Sequence, residues 1–323
     1  MFKKFLKIMK ILVTGVAGFI GYNLSKLLLE KKYKVFGIDN FDNYYSSKFK
    51  FERLKNLKKN KNFRFNKIDI INSSKIKKFF KNKKIDVIVH LAAQAGVRYS
   101  LINPEKYIDV NIFGFLNIIE QARINNVKNF FYASSSSVYG DSKKFPLKEN
   151  QILKPKNIYG LSKKLNEQTA KLYSKCYNMN CTGLRFFTIY GEWGRPDMFM
   201  FKLFKSSSNN NLFYLNNYGN HKRDFTYIND ATFAIYKLIK KNQKYHNIYN
   251  ICSNKPIKIS NIIKHFKKNN NAKIQLVKMH KADVKDTHGS NRKIKKIIQN
   301  FRVSNFYNCF DQTLKWYKRN KIK

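Results

Sequence analysis

Gly15-Val16-Ala17-Gly18-Phe19-Ile20-Gly21 follows the apolar run Ile11-Leu12-Val13 directly and leads into the segment Tyr22 to Glu30. A buried strand, a tight turn and a helix start are what a dinucleotide pyrophosphate needs. Free N–H groups at the helix N-terminus point at it, and small residues let it approach. The spacing is GxxGxxG rather than GxGxxG, and it predicts that Gly15, Gly18, Phe19, Ile20 and Gly21 line a bound dinucleotide.

Lys34-Val35-Phe36-Gly37-Ile38 reads as a second short strand, ending in Asp39 and Asn40. Asp39 stands about 20 residues past the glycines, where a carboxylate accepts hydrogen bonds from a ribose diol. It favours NAD over NADP, because it repels a 2′-phosphate and no arginine neighbours it in the sequence to compensate. A solvated acid that merely ends a strand is the plainer reading of the same residue.

A chain of 323 residues at 43% hydrophobic can bury a full core, and its length suits one large or two intimate domains. The formal net charge of +46 raises the question of nucleic acid. The lysines, however, are spread along the whole chain among many Asn and Ile, with few Arg to read bases, which looks like AT-rich codon usage. No specific nucleic-acid partner is expected; nonspecific attraction to polyanions at low salt is.

Cys176, Cys181, Cys252 and Cys309 show no CxxC or Cys/His ligand spacing, so neither a disulfide framework nor a metal site is expected, and a reduced cytoplasm is the simplest home. No stretch approaches the ~20 apolar residues of a membrane span. Residues 1–8 are basic and precede Met9-Lys10, which suggests a disordered tail or an upstream start codon.

Strands and helices alternate through the first half. Asn62 to Phe65, Asp86 to His90 and Asn129 to Ala133 read as buried strands, with helices over Ser73 to Lys81 and Pro104 to Asn125. This pattern predicts an α/β fold, a doubly wound parallel sheet. Ile68-Asp69-Ile70 reads as a strand end that places Asp69 against an adenine amino group. His90-Leu91-Ala92-Ala93 supplies small residues at the carboxyl edge where a cofactor lies. Asn111 interrupts an apolar helix; it and His90 either meet the cofactor or brace the sheet edge as satisfied polar groups.

Ala133-Ser134-Ser135-Ser136-Ser137-Val138-Tyr139-Gly140 ends a strand, and Tyr159-Gly160-Leu161-Ser162-Lys163 follows. Four residues apart on a helix, Tyr159 and Lys163 share a face, so the ammonium favours the phenolate. Bringing a phenol from pKa ~10 to about 7 takes roughly 4 kcal/mol of differential stabilisation, which Lys163 and an oxidised nicotinamide together could supply. Tyr159 is thus the candidate base, and a hydroxyl of the serine run shares the proton path. YxxxK alone is weak in so lysine-rich a chain; downstream of the glycine turn and a serine-ended strand it is strong.

With these motifs in view, the sequence resembles the extended short-chain dehydrogenase/reductases and, within them, the UDP-glucuronate 4-epimerases. The resemblance is carried by TGVAGFIG, HLAAQAGVRYS, ASSSSVYG, YGLSKKLNE, GLRFFTIYGEWGRPDM and KRDFTYINDA, and weakens but continues through YNICSNKPI. It implies a Rossmann domain over residues 1–190 and a smaller mixed α/β domain over 191–323 that mainly binds the sugar nucleotide, with about 226–252 returning to the first. Gly15, Gly18 and Gly21 would line the pyrophosphate of NAD, Asp39 the ribose, Asp69 and Ile70 the adenine, with Asn40, Leu91, Ala92, Ala93 and Asn111 around it.

Tyr159 and Lys163 would be base and activator, and Lys163 would also hold the nicotinamide ribose. Ser135 aligns with the catalytic Ser/Thr; Ser136 and Ser137 would touch the sugar or share that role, and the sequence does not rank the three. Thr188 and Arg195 would face the sugar, with Arg195 a candidate partner for its carboxylate, while Arg223 would grip the UDP phosphates and Arg98 would stand on the substrate side. Scattered surface arginines are the alternative for Arg195 and Arg223.

Met279-His280-Lys281-Ala282-Asp283-Val284 stands where the family has MQPGDV, which touches the nucleotide-side contacts. Cys252-Ser253 in place of GN, and Val16 in place of Ala, read as packing changes. The resemblance implies an NAD-dependent 4-epimerase acting through a 4-keto sugar, and a homodimer formed by helices within Pro104 to Asn125 and Tyr159 to Tyr177. A 4,6-dehydratase would need an acid pair where Ser136 and Ser137 stand; a UDP-glucuronate decarboxylase or another UDP-sugar 4-epimerase shares most motifs. A noncatalytic NAD-sensing or polyanion-binding protein, suggested only by the charge, would not need Tyr159 and Lys163 together.

Overall fold

The computed structural model describes residues 8–81, 83–241 and 243–320; of the expected tail, residues 1–7 lie outside them. Its strands are β1 (Lys10–Thr14), β2 (Lys34–Asp39), β3 (Phe63–Lys67), β4 (Val87–His90), β5 (Asn129–Ser135), β6 (Asn180–Phe186), β7 (Thr188–Tyr190), β8 (Leu212–Asn216), β9 (Lys222–Tyr227), β10 (His246–Ile251), β11 (Pro256–Lys258) and β12 (Lys273–Val277). Seven of them form one parallel sheet in the order β10-β6-β5-β4-β1-β2-β3.

The continuous apolar run of β1 is explained by its place in the middle of that sheet. Ile11, Leu12 and Val13 are wholly buried, Ile11 and Val13 in the core under helix Phe19–Glu30 and Leu12 in the core on the opposite face under helix Gly114–Ile124. Successive side chains of a strand point to opposite faces, so a strand covered on both must be apolar throughout. Each such side chain stabilises the fold by about 1.5–3 kcal/mol.

The chain order places the switch of direction between β1 and β4, the crevice where such sheets hold ligands. Thr14 stands in register with both Ile38 of β2 and His90 of β4, so the carboxyl ends of the central strands are level. Helix Ile228–Lys240 packs on helix Phe19–Glu30, and β10 extends the sheet beyond β6. The remaining strands form a three-stranded sheet, β11-β9-β7, and a parallel pair, β12-β8.

Three local features differ from the sequence reading. A helix, Ser47–Lys58, fills the connection between β2 and β3. The strand expected to reach Ile70 stops at Lys67, and just beyond it Asp69 accepts the Ile71 N–H (3.1 Å) in a turn of its own making. The single helix read over 104–125 is three pieces, a turn at Glu105–Tyr107, a π-helical stretch at Ile108–Phe113 and the α-helix Gly114–Ile124. Asn111 lies inside the π stretch with its side chain buried, a polar anchor that a regular surface helix would not turn inward.

Candidate active site

At the end of β1 the chain turns at Gly15 with φ +69°, and the Gly15 and Val16 N–H groups donate to the Ile38 carbonyl (2.8 and 3.2 Å). The glycines are required by close packing. A Cβ on Gly15 would lie 2.8 Å from the Ala92 backbone nitrogen, and one on Gly21 would lie 2.2 Å from the Gly15 carbonyl oxygen. Helix Phe19–Glu30 starts at Gly18 with no side-chain cap, which leaves its first N–H groups for a ligand.

Asp39 is buried, and the Ala17 and Phe41 N–H groups donate to its two oxygens (3.0 and 2.9 Å). Burial raises its pKa, against the pull of those bonds and of the Lys50 and Arg53 charges. Both basic residues come from the unforeseen helix, so Asp39 does have an arginine nearby in space. Arg53, however, spends its Nη donors on carbonyls and on the Tyr45 hydroxyl. The Asn40 amide donates to Asp69 (2.8 Å).

The Tyr159 helix, Ile158–Tyr177, is capped by Asn157, whose Oδ1 accepts the Gly160 N–H (2.8 Å). Gly160 lets its first turn approach the serine run, since a Cβ there would fall 2.7 Å from the Ser137 carbonyl oxygen. Further along the same face, Glu167 forms a buried ion pair with Arg185 of β6 (2.8 Å) and accepts from Ser134 of β5 (2.5 Å). Ser134 is thereby engaged in holding the helix. Ser135 donates to Ser137 Oγ and accepts its N–H, both at 3.1 Å.

Burial raises the Tyr159 phenol, while the Ser135 hydroxyl and the Arg195 charge draw it down. Burial lowers Lys163 to about 7. Arg195 is paired edge to edge with Asp197 and lies over the Tyr44 ring. At the far end Arg98 pairs with Asp283 (2.8 Å), and Arg223 donates to the Val284 and Lys285 carbonyls (2.7 and 2.6 Å). The departing segment Met279 to Val284 thus supplies partners for both arginines.

One cleft of about 1200 Å³ collects Gly15, Gly18, Phe19, Ile20, Gly21, Asp39, Asn40, Asp69, Ile70, Leu91, Ala92, Ala93, Arg98, Ser135, Ser136, Ser137, Tyr159, Lys163, Thr188, Arg195 and Arg223. Asn111 is not among its walls. Its amide is used on the Gln94 backbone, accepting the N–H (2.8 Å) and donating to the carbonyl (3.0 Å), and on Ser162 (3.1 Å). His90 is buried behind the sheet edge against Thr14 (2.8 Å). The sequence reading passed over Tyr44, Lys50, Gln94, Asp197 and His221, which also line the cleft. A basic residue on the apolar stripe Phe49, Leu54, Leu57 was the available signal for Lys50 and Arg53.

Among the described residues no three His, Cys, Asp or Glu side chains come together to hold a metal, and no helix is long and apolar enough to cross a membrane.

A parallel sheet with an uncapped helix start, and a half-buried tyrosine and a buried lysine four residues apart on a helix lining the same cleft, define a dinucleotide-dependent enzyme. Residues 11–252 match the NAD dependent epimerase/dehydratase family, and the chain belongs to it. It is 37% identical over 313 residues to a UDP-glucuronate 4-epimerase of Thermodesulfobacterium geofontis, with 96% of each chain covered. It is 43% identical over 303 residues to Protein CapI of Staphylococcus aureus, covering 87% of this chain and 90% of that protein. The crystal structure of UDP-glucuronic acid 4-epimerase from Bacillus cereus in complex with UDP-glucuronic acid and NAD superposes with a TM-score of 0.91 at 29% identity, covering 97% of this chain and 100% of that one.

Proposed function

We propose that this chain is an NAD-dependent 4-epimerase that interconverts UDP-glucuronate and UDP-galacturonate through a transient 4-keto sugar. The observation that carries it is that Ser135, Tyr159, Lys163 and Arg195 line the same cleft that begins at the glycine turn. The cleft fits the cofactor: the tight turn at Gly15, the uncapped helix start at Gly18 and the buried Asp39 suit a pyrophosphate and a ribose, with Asp69 and Ile70 at the adenine end. When bound, NAD supplies a hydride acceptor and donor for C4.

Tyr159 removes the 4-OH proton and later returns it, because the C–H at that carbon is not acidic enough for inversion by proton transfer alone. Lys163 stabilises the phenolate, and Ser135, flanked by Ser136 and Ser137, holds the reacting oxygen. Arg195 and Thr188 hold the C6 carboxylate, which also opposes loss of carbon dioxide from the 4-keto acid. Arg223 and Arg98 take the diphosphate side. The absence of an acid at positions 136 and 137 favours epimerisation over 4,6-dehydration.

Residues 1–190 with about 226–252 would bind the cofactor and the rest of 191–323 the sugar nucleotide. A homodimer is supported by the exposed apolar side chains of Phe113, Leu116, Leu161, Leu165 and Leu172 on two neighbouring helices. The four free cysteines suit the reducing cytoplasm. Incubation of purified protein with UDP-glucuronate and resolution of products by NMR tests the activity; UDP-galacturonate is expected, and a pentose product or none overturns it.

A further inference from the structure

Helix Ser47–Lys58 carries a side chain that the proposed chemistry does not use. Arg53 is wholly buried. Its Nη1 donates to the Ala17 carbonyl in the glycine turn and to the Tyr45 hydroxyl, both at 2.9 Å. Its Nη2 donates to the Gly194 carbonyl (3.2 Å) and the Trp193 carbonyl (2.5 Å). Gly194 immediately precedes Arg195. Among the described residues Arg53 forms no ion pair, and its Nε is buried without a partner.

The Asp39 carboxylate acts on this charge without bonding to it, and a fully buried cation whose hydrogen-bond partners are all neutral is costly, so its placement calls for a reason beyond packing. Its forked donors reach two distant loops, one 36 residues before Arg53 at Ala17 and the other 140 residues after it at Trp193. One loop lines the cofactor end of the cleft and the other carries Arg195. We infer that Arg53 is a positioning residue that ties the glycine turn to the Trp193-Gly194-Arg195 segment, so that holding NAD and choosing the sugar are coupled. This rests on the functional reading above.

Lysine keeps the charge but has one compact donor head, which cannot span both sets of carbonyls. Misplacing a binding group by about 1 Å costs on the order of a hundredfold in rate. Arg53→Lys and Arg53→Gln, purified with NAD present, are therefore compared with wild type in three measurements. These are NAD affinity, NAD affinity with saturating UDP-glucuronate, and the ratio of kcat/KM for UDP-glucuronate to that for UDP-glucose.

In the wild type the sugar nucleotide is expected to tighten NAD by about 5-fold or more, within the usual range of coupling between sites. Both variants are expected to lose that coupling to within twofold, to bind NAD about tenfold more weakly, and to compress the sugar ratio about tenfold. Coupling and ratio kept within twofold, even with weaker NAD binding or a lower melting temperature, overturn the inference and leave Arg53 a scaffold residue. Failure of both variants to fold with NAD overturns it in the same way. A wild type that turns over neither sugar overturns the functional reading instead, and the two NAD titrations still decide whether Arg53 couples the sites.

Discussion

Arg195 and Asp197 meet edge to edge, Nε donating to one carboxylate oxygen at 3.0 Å and Nη2 to the other at 2.5 Å. Two parallel bonds fix the plane of the guanidinium. Burial alone would lower its pKa, but the Asp197 carboxylate outweighs that and holds the charge in place. The Nη1 edge has no hydrogen-bond partner among the described residues and is the one left for a ligand.

Arg195→Ala is expected to lower kcat/KM for UDP-glucuronate tenfold to over a hundredfold, the scale of a charge-assisted contact of about 1.5–3 kcal/mol. Turnover of UDP-glucose, which has a neutral hydroxymethyl at C6, should change little. Equal losses on both sugars would make Arg195 a structural residue, and the substrate reading would fall back to an unspecialised UDP-sugar 4-epimerase.

Tyr159→Phe removes only the phenolic oxygen from a side chain whose ring stays packed against Tyr107 at 6.1 Å. NAD affinity should be kept and turnover should fall by 10² to 10⁴, the usual contribution of a general base. More than about a tenth of the wild-type rate in steady-state assays sinks the assignment.

Asp39 should make the protein select NAD over NADP in direct titrations, since a 2′-phosphate would approach a carboxylate already buried at the strand end. Lys50 also acts on Asp39, and its ammonium donates to the Asp42 carbonyl (2.5 Å). Asp39→Asn should weaken NAD and narrow the discrimination. Equal or tighter binding of NADP by the wild type contradicts the role given to Asp39.

The buried His90 links stability to pH. Burial, then the nearby Lys163 charge, lowers its pKa from 6.5 to about 3. Above 6.5 both folded and unfolded forms are neutral and its contribution is fully present. As pH falls from 6.5 toward 3 only the unfolded chain takes the proton, so stability drops, by at most about 1.4 kcal/mol per pH unit from this group. Urea midpoints measured between pH 7 and 5 should fall more steeply for the wild type than for His90→Asn. Parallel slopes would show that His90 is protonated in the folded state. His221 and His246, both lowered to about 4 chiefly by burial, act with the same sign in both proteins and cancel in the comparison.

What could be read from the sequence by itself was whatever one element encodes along its own length. The apolar run Ile11 to Val13 and the glycines from Gly15 to Gly21 specify a strand, a turn and a helix start, Asp39 marks the next strand end, and Tyr159 and Lys163 share a helix face because four residues make about one turn. The buried alternation of β1 between two cores follows from the same local period. Tertiary structure decided the rest. The sequence leaves Asn111 open between a cofactor contact and a brace, and the π turn that carries it to the Gln94 backbone decides for the brace, because a buried amide must find hydrogen-bond partners. The apolar stripe of its helix could mark Arg53 as buried but not name its partners, since three of its four acceptors are carbonyls, which every residue carries and no sequence pattern marks. Only the folding of distant loops onto one another brings those oxygens within reach of a single guanidinium.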